Sequence, residues 1–486
     1  MLERHGDVRD RRDSDVSRGY NLSHVTRSRR SDALALPPGP RGYPLIGVLP
    51  QVRADPIGTF LDAADRYGDI VHLRVGPYQG FLVSDPQGIR HVLHDNASNY
   101  RKSPLYDRLR DNLGNGLLTS EGAFWLRQRR LVQPAFHRER LAAMADTMVA
   151  CTQPMLDRWE GFASRGEAIE IGAEMMALTQ AIVVRTMFSS DLGAAADIVH
   201  RTWPIINRRI GETFFSTKLE TMLPLPVNRR FWRAVRDLDE VVYQIVADRR
   251  RSGRDEADLL SMLLSATDEE TGTGMTDRQL RDEVVTILLA GHETTSLALS
   301  WTYYLLSQHP GAEAAVGEEV DRVIGDARPS FAHIDQLRFT RRVIEESLRL
   351  YPPAWGFSRR AQDDDEICGY RLRRGWLVFL IPFVVHRRVA LWPDPQRFDP
   401  ERFAPEQVAA RSRFAYIPFG GGPRGCVGNQ FAIVEALLIV AAVARRYRLE
   451  LVPGQDIRPE ALITLRPAPG IRAMVRRRPL RGWSAS

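Results

Sequence analysis

The stretch Asp282–Ser307, DEVVTILLAGHETTSLALSWTYYLLS, is apolar on nearly every side of a helical wheel. A helix of this kind has no face to give to water, so protein has to enclose it all round. No stretch of the chain is an uncharged apolar run of the roughly 18 residues that a membrane span needs. The expectation is therefore a helix threaded through the middle of one large domain, with no transmembrane anchor. Length alone points elsewhere, since at roughly 150 residues per domain the 486 residues would make about three.

The rest of the pattern agrees with one body. Leu36–Gly47, LPPGPRGYPLIG, is a proline and glycine hinge where order is expected to begin. Residues 1–36 mix both charges with few apolar side chains, lack the core of a signal peptide, and read as a flexible polar tail ahead of a single domain over 37–486. GDIVHLRVG and GFLVSDP read as two short strands joined by a turn near Pro77–Gly80, and WLVFLIPFVV as a later β-rich patch. Helical spacing covers Phe124–Ala135, Leu141–Phe162, Ala168–Met187 and Arg230–Arg251. The predicted class is mainly α with small β-sheets.

Charge and cysteine usage exclude several functions. The formal net charge of +7 rests on arginine, as Lys102 and Lys218 are the only lysines, and no aromatic-interleaved basic repeat suggests nucleic-acid binding. The three cysteines, Cys151, Cys368 and Cys426, have no zinc spacing, and their odd number argues against a secreted disulfide framework. A reducing cytoplasm is the natural setting.

Two places break the pattern chemically. Within the apolar helix, AGHETT (Ala290–Thr295) inserts a glycine, an acid and two threonines. A zinc-protease HExxH would need a second histidine where Ser296 stands. The threonines could simply bond back to helix carbonyls, but an acid in so apolar a helix is costly and points to function or internal water. The second place is FGGGPRGCVGNQ (Phe419–Gln430), a glycine loop that presents Cys426 ahead of an apolar helical run. Free N–H groups at that helix start and the flanking Gly425 and Gly428 favour a thiolate ligand. An isolated buried cysteine is more often inert, and the loop alone leaves both readings open.

The loop Phe419–Gly428 resembles the haem-ligand signature of the cytochrome P-450 family, and other motifs match that family in order after residue 36. EESLRLYPP carries Glu346 and Arg349 on one helical face, FDPERF supplies Arg402, and WLRQRR places Trp125 and Arg129 one turn apart. The resemblance implies a single helical haem-binding domain in which Cys426 ligates the iron of haem b, with Phe419, Gly420, Ala290 and Gly291 against the cofactor. It assigns Trp125, Arg129 and Arg424 to the haem propionates, with Arg359 of FSRRAQDD as a fourth. Thr294 would hold a proton-donating water and Glu293 would relay protons. An axial thiolate favours O–O cleavage, so the implied activity is that of a monooxygenase inserting one atom of O2 into its substrate. A haem-thiolate isomerase or peroxygenase is the alternative, and a haem sensor or electron carrier a remote one.

The family builds its pocket from regions that here read SPLYDRLRDNLGNGLL, VVTILLAG, PPAWGFS and ALITL, with Phe214, Phe215, Met222 and Leu223 in the lid. They are largely apolar, which favours a terpene or fatty acid. No flavin, nicotinamide or iron–sulfur signature follows the haem region. Electrons would come from a separate ferredoxin or flavodoxin with its reductase, attracted by Arg127, Arg130, Arg445 and Arg446.

Overall fold

The apolar stretch forms the interior of a 32-residue helix, Asp277–Gln308. Thr276 starts it with a reciprocal cap: its hydroxyl accepts from the Gln279 N–H at 3.3 Å, and its own N–H donates to the Gln279 side chain at 2.8 Å. A computed structural model describes this helix together with residues 36–188, 194–213, 223–253, 258–268 and 270–478. Side chains on every side of the helix, from Leu280 to Leu306, are buried. The helices Ile171–Phe188, Pro226–Ser252, Arg338–Leu350 and Asn429–Ala444 pack around it. Ile171–Phe188 comes so near that a Cβ on Gly291 would lie 3.1 Å from Val183, and the Thr179 hydroxyl donates to the His292 carbonyl at 2.8 Å.

Small sheets flank the helices. The largest has five strands, in the order Ile70–Val75, Tyr78–Val83, Leu377–Leu380, Phe357–Ala361 and Tyr100–Lys102. Its first two strands form the expected hairpin, but the turn is Gly76–Pro77, because Val75 pairs directly with Tyr78. In WLVFLIPFVV only Leu377–Leu380 is strand, and Pro382 opens a short helix. Three helical expectations match to within a few residues, as Gly122–Val132, Arg138–Arg165 and Pro226–Ser252. The fourth begins late, at Ile171, since Ala168–Glu170 is captured as a strand by Arg472–Arg477. Contacts divide the chain after Ala35, with Leu36–Ser486 as one unit. Residues 1–35 of the expected tail lie outside the described residues. Among the described residues no helix is long and apolar enough to cross a membrane.

Candidate active site

The cysteine loop hangs on a buried polar frame. Glu346 and Arg349 are fully buried and bonded twice, Nε to Oε2 at 2.7 Å and a terminal nitrogen to Oε1 at 2.8 Å. Arg349 spends its remaining donors on the carbonyls of His386, Pro395 and Arg397. Arg402 completes the set more loosely, 3.6 Å from Glu346. Such a buried pair stabilises little against apolar replacements, but its geometry fixes three turns of coil. His386 carries that order onward: it lies against Arg349, and its Nε2 accepts from the Ile417 N–H at 2.9 Å, two residues before the loop begins. Burial, with Arg349 beside it, holds His386 far below its ordinary pKa, so it stays a neutral acceptor.

Within the loop, the Cys426 N–H donates to the Phe419 carbonyl at 2.9 Å, and the Gly428 N–H points at the sulfur. Gly422 has φ 64°, and a Cβ there would lie 1.7 Å from the Leu93 carbonyl oxygen, so only glycine lets the loop close. Gly420, at φ 70°, would meet nothing with an added Cβ: it borders open space. Cys426 is exposed, yet burial pushes its thiol pKa up, with Gly428 and Arg129 opposing. Both statements hold if the sulfur faces an interior space, not the outer surface. Phe419 is half-buried and packs against the main core. The helix after the loop begins at Asn429.

Cations gather at one side of the loop. Arg129 donates to the Gly425 carbonyl at 2.9 Å. Arg424 stacks on the Trp125 ring, 3.7 Å from its centroid, donates to the Ser120 carbonyl at 2.9 Å and pairs with Glu121. Arg359 is buried, hydrogen-bonded to the Ser358 carbonyl and lying over Phe357, while its neighbour Arg360 is exposed on the other side of the strand. The sequence reading missed a fourth cation, Lys102, which stands directly opposite Arg359 on the paired strand. Burial and then Arg424 and Arg359 push the Lys102 amine far below its ordinary pKa. Like charges opposite one another in a sheet are destabilising, and the Glu121 carboxylate offsets Lys102 and Arg424, with Glu283 also acting on Lys102. The donor set fits a group bearing two carboxylates. Only the rarity of lysine in this chain marked Lys102 beforehand.

On the central helix, Ala290 is exposed and Gly291 and Thr294 are half-exposed, though nearly all their neighbours are buried. Ala290 and Thr294 open onto interior space as Cys426 does, whereas the Cβ position of Gly291 faces Val183. The Thr294 hydroxyl donates back to the Ala290 carbonyl at 2.6 Å. Glu293 turns away, as adjacent helical residues must. It accepts from Asn207 at 2.5 Å and Thr464 at 2.7 Å, beside Trp203. Burial nonetheless raises its pKa. The acid and the threonine expected to cooperate thus point to different partners. Two further acids escaped the sequence reading. Glu435, the one charge in FAIVEALLIV, is buried beside Thr295, its oxygens without a hydrogen-bond partner among the described residues, and burial pushes its pKa far up. Glu283 accepts from the Leu117 N–H and Gln128, both at 3.0 Å, with its pKa raised to about 7 by burial. With Asp282, which accepts from the Asn115 N–H at 2.7 Å, it binds the pocket loop to the central helix.

Two of the arginines expected to attract an electron donor are occupied internally: Arg127 holds the carbonyls of Thr273 and Gly274, and Arg130 pairs with Asp268 and Glu270. Arg446 lies 3.6 Å from Asp157. In the expected lid, Leu223 is exposed, and Phe214, Phe215 and Met222 lie outside the described residues.

Residues 37–472 match the family described as Cytochrome P450. The chain is 39% identical to cyclooctatin synthase of Streptomyces melanosporofaciens over 88% of its own length and 93% of the relative's. It is 37% identical to cyclooctat-9-en-7-ol 5-monooxygenase of the same organism, over 86% and 90%. With pentalenene oxygenase of Streptomyces avermitilis the identity is 34%, over 88% and 94%. The crystal structure of the cytochrome P450DA heme domain superposes with a TM-score of 0.84 at 28% identity, covering 92% of this chain and 98% of that one.

Proposed function

Because the chain belongs to the cytochrome P450 family, we propose that it inserts one atom of O2 into an apolar terpene, using haem b held by Cys426. Membership makes it a haem-binding monooxygenase, an oxidoreductase; the terpene, the b-type haem and the residue roles are the proposal. The observation that carries it is the accessible Cys426 thiol beside the cation set Lys102, Arg129, Arg359 and Arg424. The printed activities of the relatives supply the substrate class. The single catalytic domain would span 37–486, in the cytoplasm.

When bound, the haem supplies the iron at which O2 is reduced and the O–O bond is cleaved, helped by its thiolate ligand. The protein's part is placement. Lys102, Arg359 and Arg424, with Arg129 and Trp125, would hold the propionates by charge-assisted hydrogen bonds. Phe419 and Gly420 border the ligand side, and Ala290 leaves room on the other. The Thr294 proton is already given to the Ala290 carbonyl. Its lone pairs can therefore accept from a water and aim that water's second proton into the site. Glu293, with its raised pKa, is the reserve acid, reaching the site once it leaves Asn207 and Thr464. Per turnover, two electrons from a separate ferredoxin or flavodoxin with its reductase and two protons convert R–H and O2 to R–OH and water.

The test has two arms. Reduced, carbon-monoxide-treated protein should show the strongly red-shifted Soret band of a thiolate-ligated haem, lost in Cys426→Ser; a band unchanged by that substitution ends the ligand assignment. Terpenes should shift the spin state on binding, whereas a response to fatty acids alone would overturn the substrate class.

A further inference from the structure

Three parts of the fold build a polar cluster around Glu293. At 3.6 residues per turn, Glu293 lies about 60° to one side of Ala290 on the helical wheel and Thr294 about 40° to the other, so the interior space over Ala290 has a polar group on either flank. The helix Ala194–Thr213 approaches on the Glu293 side. Its Trp203 ring meets the His292 ring edge-on at 5.9 Å, and Asn207, one turn later on the same face, donates to Glu293. A Cβ on Gly211 would lie 3.2 Å from Leu462, at the tip of the hairpin formed by Arg458–Ala461 and Leu465–Ala468. Two indole N–H groups fix that tip, Trp355 on the Leu462 carbonyl at 2.9 Å and Trp301 on the Leu465 carbonyl at 3.1 Å, and so set Thr464 on Glu293. Two polar atoms of the cluster are left over. The Trp203 indole nitrogen and the Asn207 side-chain oxygen are buried without a hydrogen-bond partner among the described residues, and Trp203 is only 7% exposed. Donation to a carboxylate occupies the Asn207 amide nitrogen and turns its oxygen the other way.

We propose that Trp203 and Asn207 recognise a hydroxyl already present on the substrate, so that the protein acts on a terpene alcohol in preference to the parent hydrocarbon; this rests on the terpene monooxygenase reading above. An N–H donor and an oxygen acceptor, both without partners and one turn apart on one helix face, match a hydroxyl, which accepts and donates through one atom. A ketone could take the Trp203 N–H but would leave the Asn207 oxygen bare. A carboxylate would do the same, and would be repelled by Glu293 whenever that acid is ionised. A hydrocarbon strips water from both atoms and returns nothing, the case in which a buried polar site discriminates most strongly. The hydroxyl anchors an otherwise apolar skeleton at the Glu293 flank of Ala290, and the carbons lying toward Thr294 are those presented for oxidation.

The test is titration of the haem-loaded full chain, by calorimetry and by spin-state shift, with matched pairs: limonene and α-terpineol, cedrene and cedrol, abietadiene and abietadienol. The expected result is that at least one alcohol binds about tenfold or more tightly than its hydrocarbon. Trp203→Phe, which keeps the ring and removes the N–H, and Asn207→Leu should each cut that preference about tenfold through weaker alcohol binding, with hydrocarbon binding and the carbon-monoxide Soret band retained. Thr464→Val, which removes a donor to Glu293 and neither of the two free atoms, should leave the preference in place. Alcohol and hydrocarbon bound alike by the parent, or a preference that survives both Trp203→Phe and Asn207→Leu, overturns the proposal and leaves the terpene reading standing. Binding of neither member of any pair removes that reading, and this inference with it.

Discussion

At the scale of single residues, the buried acids give the sharpest expectations. Glu283 has a folded pKa of about 7 against an ordinary value of 4.5, so the folded protein holds a proton that the unfolded chain has lost. Stability from this group is therefore full below pH 4.5 and is lost as pH rises to 7, by on the order of 3 kcal/mol. Urea midpoints at pH 5 and pH 7.5 should differ less in Glu283→Gln than in the parent; an equal difference would sink the assignment. Thr464→Val removes one of the donors to Glu293 without changing shape. The pKa of Glu293 should climb further, moving the alkaline limb of the turnover–pH profile upward while substrate affinity is unchanged. A static profile would show that Glu293 takes no part in proton supply.

At the scale of elements, close approaches decide what can be changed. A Cβ on Gly116 would stand 2.3 Å from the Thr286 hydroxyl and 2.6 Å from the Asp282 carbonyl oxygen. Gly116→Ala should push the pocket loop off the central helix, visible as faster amide exchange at Asn115 and Leu117 and at least a severalfold weaker substrate spin shift. What the sequence disclosed follows the same logic. The central helix was legible because burial on every side leaves its mark on every residue, and the cysteine loop because glycine and cysteine tolerate few substitutes there. Ala168–Glu170 was misread as helix because its strand exists only through Arg472–Arg477, far along the chain. Lys102 escaped for a like reason, since its place opposite Arg359 depends on a pairing between distant strands. The direction of Glu293 was hidden too, because Asn207 and Thr464 come from two other parts of the fold.

At the scale of the whole molecule, the cation set joins the edge strand, the Trp125 helix and the cysteine loop around charges that repel one another. Folding without a bound dicarboxylate has to bear that repulsion, so loading should stabilise the protein by mass action as well as by relief of charge. Lys102→Met should raise the melting temperature of the haem-free protein and lower that of the loaded protein. A change of the same sign in both forms would reduce Lys102 to a packing residue. Its rarity has a practical consequence as well. With Lys218 it makes up all the side-chain amines of the protein, and its depressed pKa leaves it more nucleophilic at neutral pH than an ordinary lysine. An acylating reagent at limiting dose should mark Lys102 in haem-free molecules and spare it in loaded ones, so peptide mass mapping would read occupancy from one acyl group.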